Sequence, residues 1–331
     1  MFLFLGVVFV YSKISRTHNP FYTDQSASQA SPTAVPAPQL QNVFLIVMEN
    51  TNWSSIFENK DAPYINTLLK HKEASYSTNY FDITHPSEPN YMWMEAGTAF
   101  DLPNGTGKVS FTTDADASTH NSTSTTDHLV ESLDKSNISW KVYAEGIDGK
   151  TCPLLSSGAT LYAAKHNPMI FFQDVTDNNN PKSQNCIQHM RPFAELSSDL
   201  VAQKNARYNF IIPNLCSDMH DSEGCKTTNR IRNGDEWLAQ IVPQILSSQA
   251  YKDNGVLFIT WDEGVNDGKQ NQIGLIALSP LAKGNGYHDD ASTTVKYTHG
   301  SLLETIRLIF KVKPFPNHES DLSQLFKVSL R

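Results

Sequence analysis

The sequence predicts an α/β fold with one doubly wound, mostly parallel β-sheet and helices on both faces. Five short apolar runs, rich in β-branched residues, are typical of buried strands, and helical patterns lie between them. The 331 residues, 39% of them hydrophobic, are enough for one large α/β domain or two small ones, and we favour one. The predicted strands are NVFLIVM (42–48), ISWKVYA (138–144), YNFIIP (208–213), GVLFITW (255–261) and QIGLIALS (272–279).

Helical patterns occupy the intervals between these strands. APYINTLLKHK (62–72) has a proline that suits a first helical turn, and TTDHLVESLDK (125–135) has a suitable capping residue. The amphipathic segment GDEWLAQIVPQILSSQAY (234–251) contains Pro243, where we expect a kink. HGSLLETIRLIF (299–310) follows the last strand. Strands that alternate with helices in this way predict parallel pairing.

The N-terminal residues differ from the rest of the chain. Residues 1–23 begin with an apolar run that resembles the core of a secretory signal or a short anchor, although a basic segment ahead of it is missing. Residues 24–41 are rich in Ser, Ala, Pro and Gln and are expected to form a flexible linker. The folded domain is therefore predicted to span residues 42–331, and we expect an exported protein that the apolar segment could anchor to a membrane.

The charge of the chain limits the classes of partner. The net charge is −8 and no run of Lys or Arg occurs, so a broad nucleic-acid surface is not expected. The sequence also gives no sign of an obligate protein partner. An anionic substrate would have to be held locally, by a metal ion or by a few positioned groups.

The cysteines favour an oxidising compartment. They form no CxxC pair, so a zinc knuckle is not expected, and their even number predicts two disulfides with three alternative connectivities. Cys216 and Cys225 flank one loop, so we favour that pair, which leaves Cys152 with Cys186. Four N-glycosylation sequons would suit a secreted glycoprotein: Asn52, Asn104, Asn121 and Asn137.

Three predicted strands end in residues that can bind a metal or a phosphate. Ligands of such sheets gather at the carboxyl ends of the strands. Clustered carboxylates repel one another unless a cation neutralises them, so we expect a divalent ion, whether Mg²⁺, Ca²⁺, Mn²⁺ or Zn²⁺. The residues that follow these strands are Glu49 and Asn50, then Asp218, His220 and Asp221, and finally Asp262 and Glu263.

The stretch THPSEPNYMWMEAG (84–97) is the strongest candidate for a nucleophile. Pro86 and Pro89 restrict the backbone on both sides of Ser87. The apolar positions that follow suit a helix, and Gly97 could end it. Free N–H groups at a helix N-terminus favour an anion, and a metal at Ser87 would lower the cost of forming its alkoxide.

The histidines fall into two groups. His85 lies two residues from Ser87, His220 lies in DMHD, and His299 precedes a helix, so these three are candidates for the site. His166, in KHNPMIFF, could orient a loop or touch substrate. Five other histidines of the folded domain lie in polar or loop surroundings and are expected to be solvated: His71, His120, His128, His189 and His288.

An ordered set of motifs resembles the phosphoesterase family of secreted acid phosphatases and phospholipases C, a branch of the alkaline phosphatase superfamily. The resemblance covers roughly residues 42–326 and is carried by the whole set. The motifs, in order, are VMENTNWSSI, NYFDITHPSEPNY, ISWKVYAEG, KHNPMIFF, IIPNLCSDMHD, GDEWLAQIVPQIL, LFITWDEG, ALSP and YTHGSLLETI.

The resemblance implies roles for individual residues. Ser87 matches the nucleophile, and His220 and His299 match histidines near the bound phosphate. Asn90 helps to orient the phosphate or its loop, and His85, Asp218 and Asp221 are further candidates for binding substrate. The metal site would comprise Glu49, Asn50, Ser87, Asp262 and Glu263.

The resemblance leaves the substrate open between two branches of the family. The chain lacks the long C-terminal region of the phospholipases C, and THPSEPNY is closer to the acid phosphatases than to the TxPNR form. We therefore expect an exported acid phosphatase that cleaves phosphate monoesters, with phosphoinositides or other phospholipids among the candidate substrates. The alternatives are a phospholipase C or other phosphodiesterase and, third, a catalytically silent binding protein.

Overall fold

One mixed β-sheet runs through the part of the chain that the structure describes. The computed structural model describes residues 38–100, 110–221, 223–265, 270–289, 295–314, 317 and 319–330. The predicted signal or anchor region (1–23) and most of the predicted linker (24–41) lie outside these residues. The strands are β1 (Val43–Met48), β2 (Ala74–Ser77), β3 (Trp140–Ala144), β4 (Met190–Pro192), β5 (Tyr208–Ile212), β6 (Val256–Trp261), β7 (Leu275–Leu278) and β8 (Tyr287–Asp289).

The strand order is β4-β3-β5-β1-β6-β7-β2-β8, and most of the pairs are parallel. β7 runs antiparallel to both neighbours, β6 and β2, while β8 is parallel to β2. Seven of the eight strands therefore share one direction, and the predicted mostly parallel α/β sheet is confirmed. The run 272–279 is a strand as predicted, but its direction is reversed.

Two groups of helices pack around this sheet. α3, α4 and α10 contact one another, and α8 contacts α2, α7 and α9. Short 3-10 turns cover Ala164–His166, Pro168–Phe171 and Ser323–Leu325. The helices are α1 (Trp53–Ile56), α2 (Pro63–Leu68), α3 (Ser87–Ala96), α4 (Leu129–Lys135), α5 (Gln173–Thr176), α6 (Gln184–His189), α7 (Glu195–Ala202), α8 (Arg230–Ser247), α9 (Gln249–Lys252) and α10 (His299–Phe310).

The three central strands β5, β1 and β6 are buried along their whole length. β1 pairs in parallel with β5 on one side and with β6 on the other. Their carboxyl ends therefore lie side by side at one edge of the sheet. This arrangement brings together the three polar segments that the sequence analysis selected.

Both predicted disulfides are present. Cys152 bonds to Cys186, and Cys216 bonds to Cys225. The second disulfide closes the loop that follows β5 and contains the DMHD segment. Within the described residues, no helix has the length and apolar character needed to cross a bilayer.

Candidate active site

Ser87 is the first residue of helix α3 and is almost completely buried. Pro86, in an extended conformation, precedes the helix, and Gly97 ends it with a φ of +67°, a left-handed conformation that glycine adopts without steric cost. Because an α-helix leaves its first N–H groups without an intrahelical acceptor, the Ser87 hydroxyl lies beside hydrogen-bond donors. One of these donors, the N–H of Glu88, is taken by Asp114 Oδ1 at 3.0 Å.

Two carboxyl groups that follow neighbouring strands lie within hydrogen-bonding distance of the Ser87 hydroxyl. Ser87 Oγ lies 3.2 Å from Glu49 Oε2 and 3.3 Å from Glu263 Oε1. Glu49 immediately follows β1, and Glu263 lies two residues beyond the end of β6. The ends of β1 and β6 therefore each place one carboxyl group within hydrogen-bonding distance of Ser87.

Asn50 and Asp262 complete the cluster at the ends of β1 and β6. The Asn50 backbone N–H donates to Asp262 Oδ1 at 3.1 Å, and Asn50 Nδ2 donates to Glu263 Oε1 at 3.0 Å. Asn50 has a φ of +31°, which asparagine tolerates better than most residues. The five residues that the resemblance assigns to a metal therefore lie within one hydrogen-bonded cluster.

Burial and mutual repulsion make the ionised form of these carboxyl groups costly. Burial, reinforced by the charges of Asp262 and Asp218, holds the pKa of Glu49 well above its usual range. Burial also raises the pKa of Asp262 to about 6, and burial together with the charge of Asp262 raises that of Glu263 to about 9. A nearby cation would reverse this penalty.

The chemistry of the donor set fits a hard divalent cation. Among the described residues, Asn50 Oδ1, Asp218 Oδ2 and Asp262 Oδ2 are buried side-chain oxygens without a hydrogen-bond partner. Buried polar atoms normally find a partner, so unpaired oxygens on residues of this cluster suit a cation that accepts their lone pairs. In the same part of the chain, no three His, Cys, Asp or Glu side chains form a metal-binding group by themselves.

His85 and His166 lie on different sides of the cluster. His85 Nδ1 is 2.8 Å from Glu263 Oε2. His166 Nε2 is 3.2 Å from Glu49 Oε1, and its ring stacks on that of Tyr91 at 5.1 Å between centroids. Burial, together with the charges of Lys165 and His220, holds the pKa of His166 well below its usual range, so the ring is neutral. Of the two roles considered for His166, the contact with Glu49 favours one inside the site.

The DMHD segment after β5 forms a tight turn at the edge of the cluster. The N–H of His220 donates to Asp218 Oδ1 at 2.7 Å, and His220 Nδ1 lies 2.8 Å from Asp221 Oδ1. Between them, Met219 has a φ of +80°, a conformation that a non-glycine residue rarely adopts. Asp218 is buried and His220 is partly exposed, so the turn presents His220 towards solvent.

His299 and Asn90 hold the backbone of the site. His299 is completely buried, with Nε2 2.6 Å from the Asp262 carbonyl oxygen and Nδ1 3.2 Å from the Tyr80 hydroxyl. Asn90 Oδ1 accepts from the N–H groups of residues 83 and 84, and its Nδ2 donates to Thr84 O at 2.7 Å. In this structure both side chains brace the loops that carry Asp262 and Ser87.

Three residues of the site escaped the sequence analysis. Tyr91 donates a short hydrogen bond to Glu49 Oε1. It lies four residues after Ser87, so a helical-face argument could have found it. Lys165 Nζ is 2.5 Å from Asp114 Oδ2, and Asp114 in turn bonds the N–H of Glu88. Asp114 lies in an Asp- and Thr-rich stretch, where nothing in the local sequence sets it apart.

The histidines expected to be solvated divide into two sets. His120 and His288 are exposed and His71 is partly exposed. The expectation is wrong for His128, which is completely buried between Glu95 and Asp174, and His189 is partly buried against Trp140. The tertiary packing, which the local sequence does not show, buries the two rings.

Sequence comparisons relate the chain to phosphatases. The profile of the Phosphoesterase family matches residues 23–313. The chain is 24% identical to a probable acid phosphatase of Kluyveromyces lactis, over 95% of this chain and 69% of that protein. It is 27% identical to a phosphate-repressible acid phosphatase of Penicillium chrysogenum, over 76% of this chain and 57% of that protein. It is also 27% identical to a phosphatidylinositol-3-phosphatase of Mycobacterium tuberculosis, over 85% of this chain and 81% of that protein.

Structural comparisons agree on the fold. A protein of the alkaline phosphatase superfamily from Vibrio parahaemolyticus superposes with a TM-score of 0.55 at 11% identity, over 86% of this chain and 70% of that one. The phosphonate monoester hydrolase of Agrobacterium radiobacter gives a TM-score of 0.51 at 12% identity, over 87% of this chain and 77% of that one. The profile match covers well over half of the residues, and the structural likeness extends over most of the chain. The chain therefore belongs to the Phosphoesterase family, with the α/β fold of the alkaline phosphatase superfamily.

Proposed function

We propose that the protein is an exported, metal-dependent acid phosphatase that hydrolyses phosphate monoesters through a phosphoserine at Ser87. The observation that carries this proposal is the placement of Ser87 at the N-terminus of α3, within hydrogen-bonding distance of Glu49 and Glu263. The acid phosphatases among its relatives support the same activity. The folded domain, residues 42–331, would be the catalytic domain.

Ser87 attacks phosphorus in line with the leaving group. The Oγ–P bond forms as the bond from phosphorus to the leaving oxygen breaks, and the serine proton is released to water, because Glu49 and Glu263 are assigned to the cation. The leaving oxygen takes a proton from water or from a histidine. Water then attacks the phosphoserine, and cleavage of the Oγ–P bond restores the serine and releases phosphate.

Glu49, Asn50, Asp262 and Glu263, with Ser87, would hold a divalent cation. When bound, it would offset the repulsion among the carboxylates and lower the cost of the serine alkoxide. The orphaned oxygens of Asn50 and Asp262 support this assignment.

The phosphate oxygens would meet donors from the chain itself. The N-terminal N–H groups of α3 favour negative charge beside Ser87. Asp221 fixes the ring of His220 through Nδ1, which orients its other nitrogen. We assign His220, and His85 beside Glu263, to the substrate phosphate. His299 would act through the Asp262 carbonyl that it contacts, as a positioning residue.

Monoesters are the favoured substrate class. The phosphatidylinositol-3-phosphatase relative supports phosphoinositide headgroups as one candidate beside sugar phosphates and phosphotyrosine. Export is supported by the two disulfides, which persist in oxidising compartments. Phosphodiesters remain the alternative that the assay below must exclude.

A substrate screen tests the proposal. Purified full-length chain would be assayed on p-nitrophenyl phosphate, bis-p-nitrophenyl phosphate and phosphatidylcholine between pH 4 and 9, with and without chelator. We expect the highest kcat/KM on the monoester and loss of activity after metal removal. A higher kcat/KM on either diester would favour the phosphodiesterase alternative, and absence of hydrolysis with every ester would favour a silent binding protein.

A further inference from the structure

The positively charged side chain of Lys165 is linked through Asp114 to helix α3, which begins at Ser87. Its Nζ lies 2.5 Å from Asp114 Oδ2, and Asp114 Oδ1 accepts the N–H of Glu88 at 3.0 Å. Two consecutive interactions through one carboxylate therefore connect the ammonium group to the residue that follows Ser87. The side chain of Lys165 is 21% exposed, so the group is close to the surface of the site and still reachable by solvent.

The charge of Lys165 reaches the carboxylates around Ser87. Burial raises the pKa of Glu49, Asp218 and Glu263, and the charge of Lys165 acts in the opposite direction on all three. The next residue in the chain, His166, contacts Glu49 directly. Lys165 is therefore near enough to the buried cluster for its charge to act on these carboxyl groups.

The ammonium group of Lys165 has more N–H donors than the described residues accept from. An ammonium carries three N–H groups, and within the described residues that of Lys165 has one hydrogen-bond partner, Asp114. The Asp114 carboxylate is itself partly exposed and shared with the N–H of Glu88. Lys165 can therefore donate to an incoming anion without losing its contact with Asp114.

A phosphate monoester needs such a cation more than a diester does. The site contains four buried carboxyl groups (Glu49, Asp218, Asp262 and Glu263), and a monoester brings close to two further negative charges at pH 7, whereas a diester brings one. We propose that Lys165 donates to a non-bridging oxygen of the substrate phosphate and so selects monoesters over diesters. This inference rests on the proposed phosphatase function and assigns its selectivity to a residue outside the predicted site.

Four substitutions in the full-length chain separate this role from a structural ion pair: Lys165→Met, Lys165→Arg, Asp114→Asn and Lys182→Met. Lys165→Met removes the charge, and Asp114→Asn removes the competing carboxylate but keeps an acceptor for the N–H of Glu88. Lys182→Met is the matched control, because Lys182 is exposed and its side chain takes part in no interaction of the described residues. Each protein would be assayed at pH 7 on p-nitrophenyl phosphate and bis-p-nitrophenyl phosphate, and its affinity for inorganic phosphate would be measured by calorimetry.

Lys165→Met should weaken phosphate binding by about 10- to 100-fold, as expected for the loss of a charge-assisted hydrogen bond. The ratio of monoester to diester kcat/KM should fall about tenfold, because the monoester loses more Coulomb attraction. Asp114→Asn should bind phosphate at least as tightly as the wild type, Lys165→Arg should recover part of the affinity, and Lys182→Met should match the wild type.

Wild-type phosphate affinity and an unchanged ratio in Lys165→Met would overturn the inference. Equal losses in Lys165→Met and Asp114→Asn would also overturn it, because they would show that the ion pair only supports the fold. If the wild type hydrolysed neither ester, the proposed function would fail, and the phosphate affinities would still decide the role of Lys165.

Discussion

Ser87 sits in an environment that costs the folded protein free energy. Its hydroxyl bonds two buried carboxyl groups, and burial raises the pKa of both. Buried charges of one sign destabilise a fold unless a counter-charge accompanies them. The cluster is therefore better explained by the binding of a cation than by stability of the fold.

The first prediction concerns Asp262. Asp262→Ala removes an orphaned buried oxygen, so bound divalent metal and kcat/KM should fall together, the latter by more than about 100-fold. Elemental analysis and steady-state assays measure the two quantities. Asp253→Ala is the control, because Asp253 is exposed and should change neither. Full activity in metal-free wild type would contradict the proposed metal dependence.

The second prediction separates the roles of two histidines. His220→Ala should lower kcat strongly with little change in stability, because His220 is partly exposed. His299→Ala should lower kcat and also the free energy of unfolding by about 1–3 kcal/mol, because it removes the buried hydrogen bonds to the Asp262 carbonyl and the Tyr80 hydroxyl.

Assays and denaturant unfolding of both variants measure these effects. His120→Ala and His288→Ala, at exposed positions, serve as controls and should be nearly silent. Loss of activity in the controls with normal turnover in His220→Ala would mean that the site lies elsewhere.

At the residue scale, the sequence predicted the site residues that directly follow a strand. Glu49 and Asp262 follow β1 and β6 directly, so strand order alone brings them together. The contact between Lys165 and Asp114 could not be predicted from the sequence, because it depends on two segments that approach α3 from different parts of the chain. The residues next to Lys165 and Asp114 in the sequence do not indicate such a contact.

At the scale of elements, helix α3 is anchored far from Ser87 by a buried charged group. Glu95, near the end of α3, lies 2.9 Å from His128 Nδ1, and His128 Nε2 lies 3.0 Å from Asp174. Burial would lower the pKa of His128, but the hydrogen bonds with Asp174 and Glu95 outweigh it and raise the pKa to about 9. The imidazolium therefore links α3 to α4 and α5.

The third prediction is a pH dependence of stability that His128 causes. Its pKa is higher in the folded state than the value of about 6.5 in the unfolded chain, so its contribution is complete below about pH 6.5 and is lost as the pH rises through about 9. The loss should be on the order of 3 kcal/mol.

Urea unfolding at several pH values tests this dependence in wild type and His128→Gln. The wild type should lose more stability than the variant between pH 6.5 and 9, and His120→Gln, at an exposed position, should follow the wild type. Parallel curves for wild type and His128→Gln would show that His128 is not charged in the folded protein.

Long apolar elements were predictable, and short or reversed ones were not. β1, β5 and β6 are continuous apolar runs and lie where the sequence places them. β4 and β8 have three residues each, too few for a periodic pattern. The reversed direction of β7 is set by pairing with its neighbours, which a single strand does not encode.

At the scale of the whole molecule, the two disulfides close segments of very different length. The fourth prediction compares them through loop entropy. Cys152 and Cys186 are 34 residues apart, so replacing both with Ser should destabilise the fold by about 4 kcal/mol. Cys216 and Cys225 are 9 residues apart, so the same change there should cost about 2.5 kcal/mol.

Denaturant unfolding of the two double variants measures these costs, and kcat measures the effect on the site. Loss of the Cys216–Cys225 bond should lower kcat more, because it frees the loop that contains Asp218 and His220. The opposite order of stability losses would show that loop length does not govern their contribution.

The central claim is that Ser87 becomes covalently phosphorylated. Rapid acid quench of full-length chain during turnover of radiolabelled monoester, followed by peptide mapping, detects that species directly. We expect phosphate on the peptide that contains Ser87 in the wild type and none in Ser87→Ala, whose turnover should fall at least about 10³-fold while folding survives. Ser87→Thr should retain some label if the extra methyl group fits beside the prolines. Label on a histidine, or normal turnover by Ser87→Ala, would contradict the account.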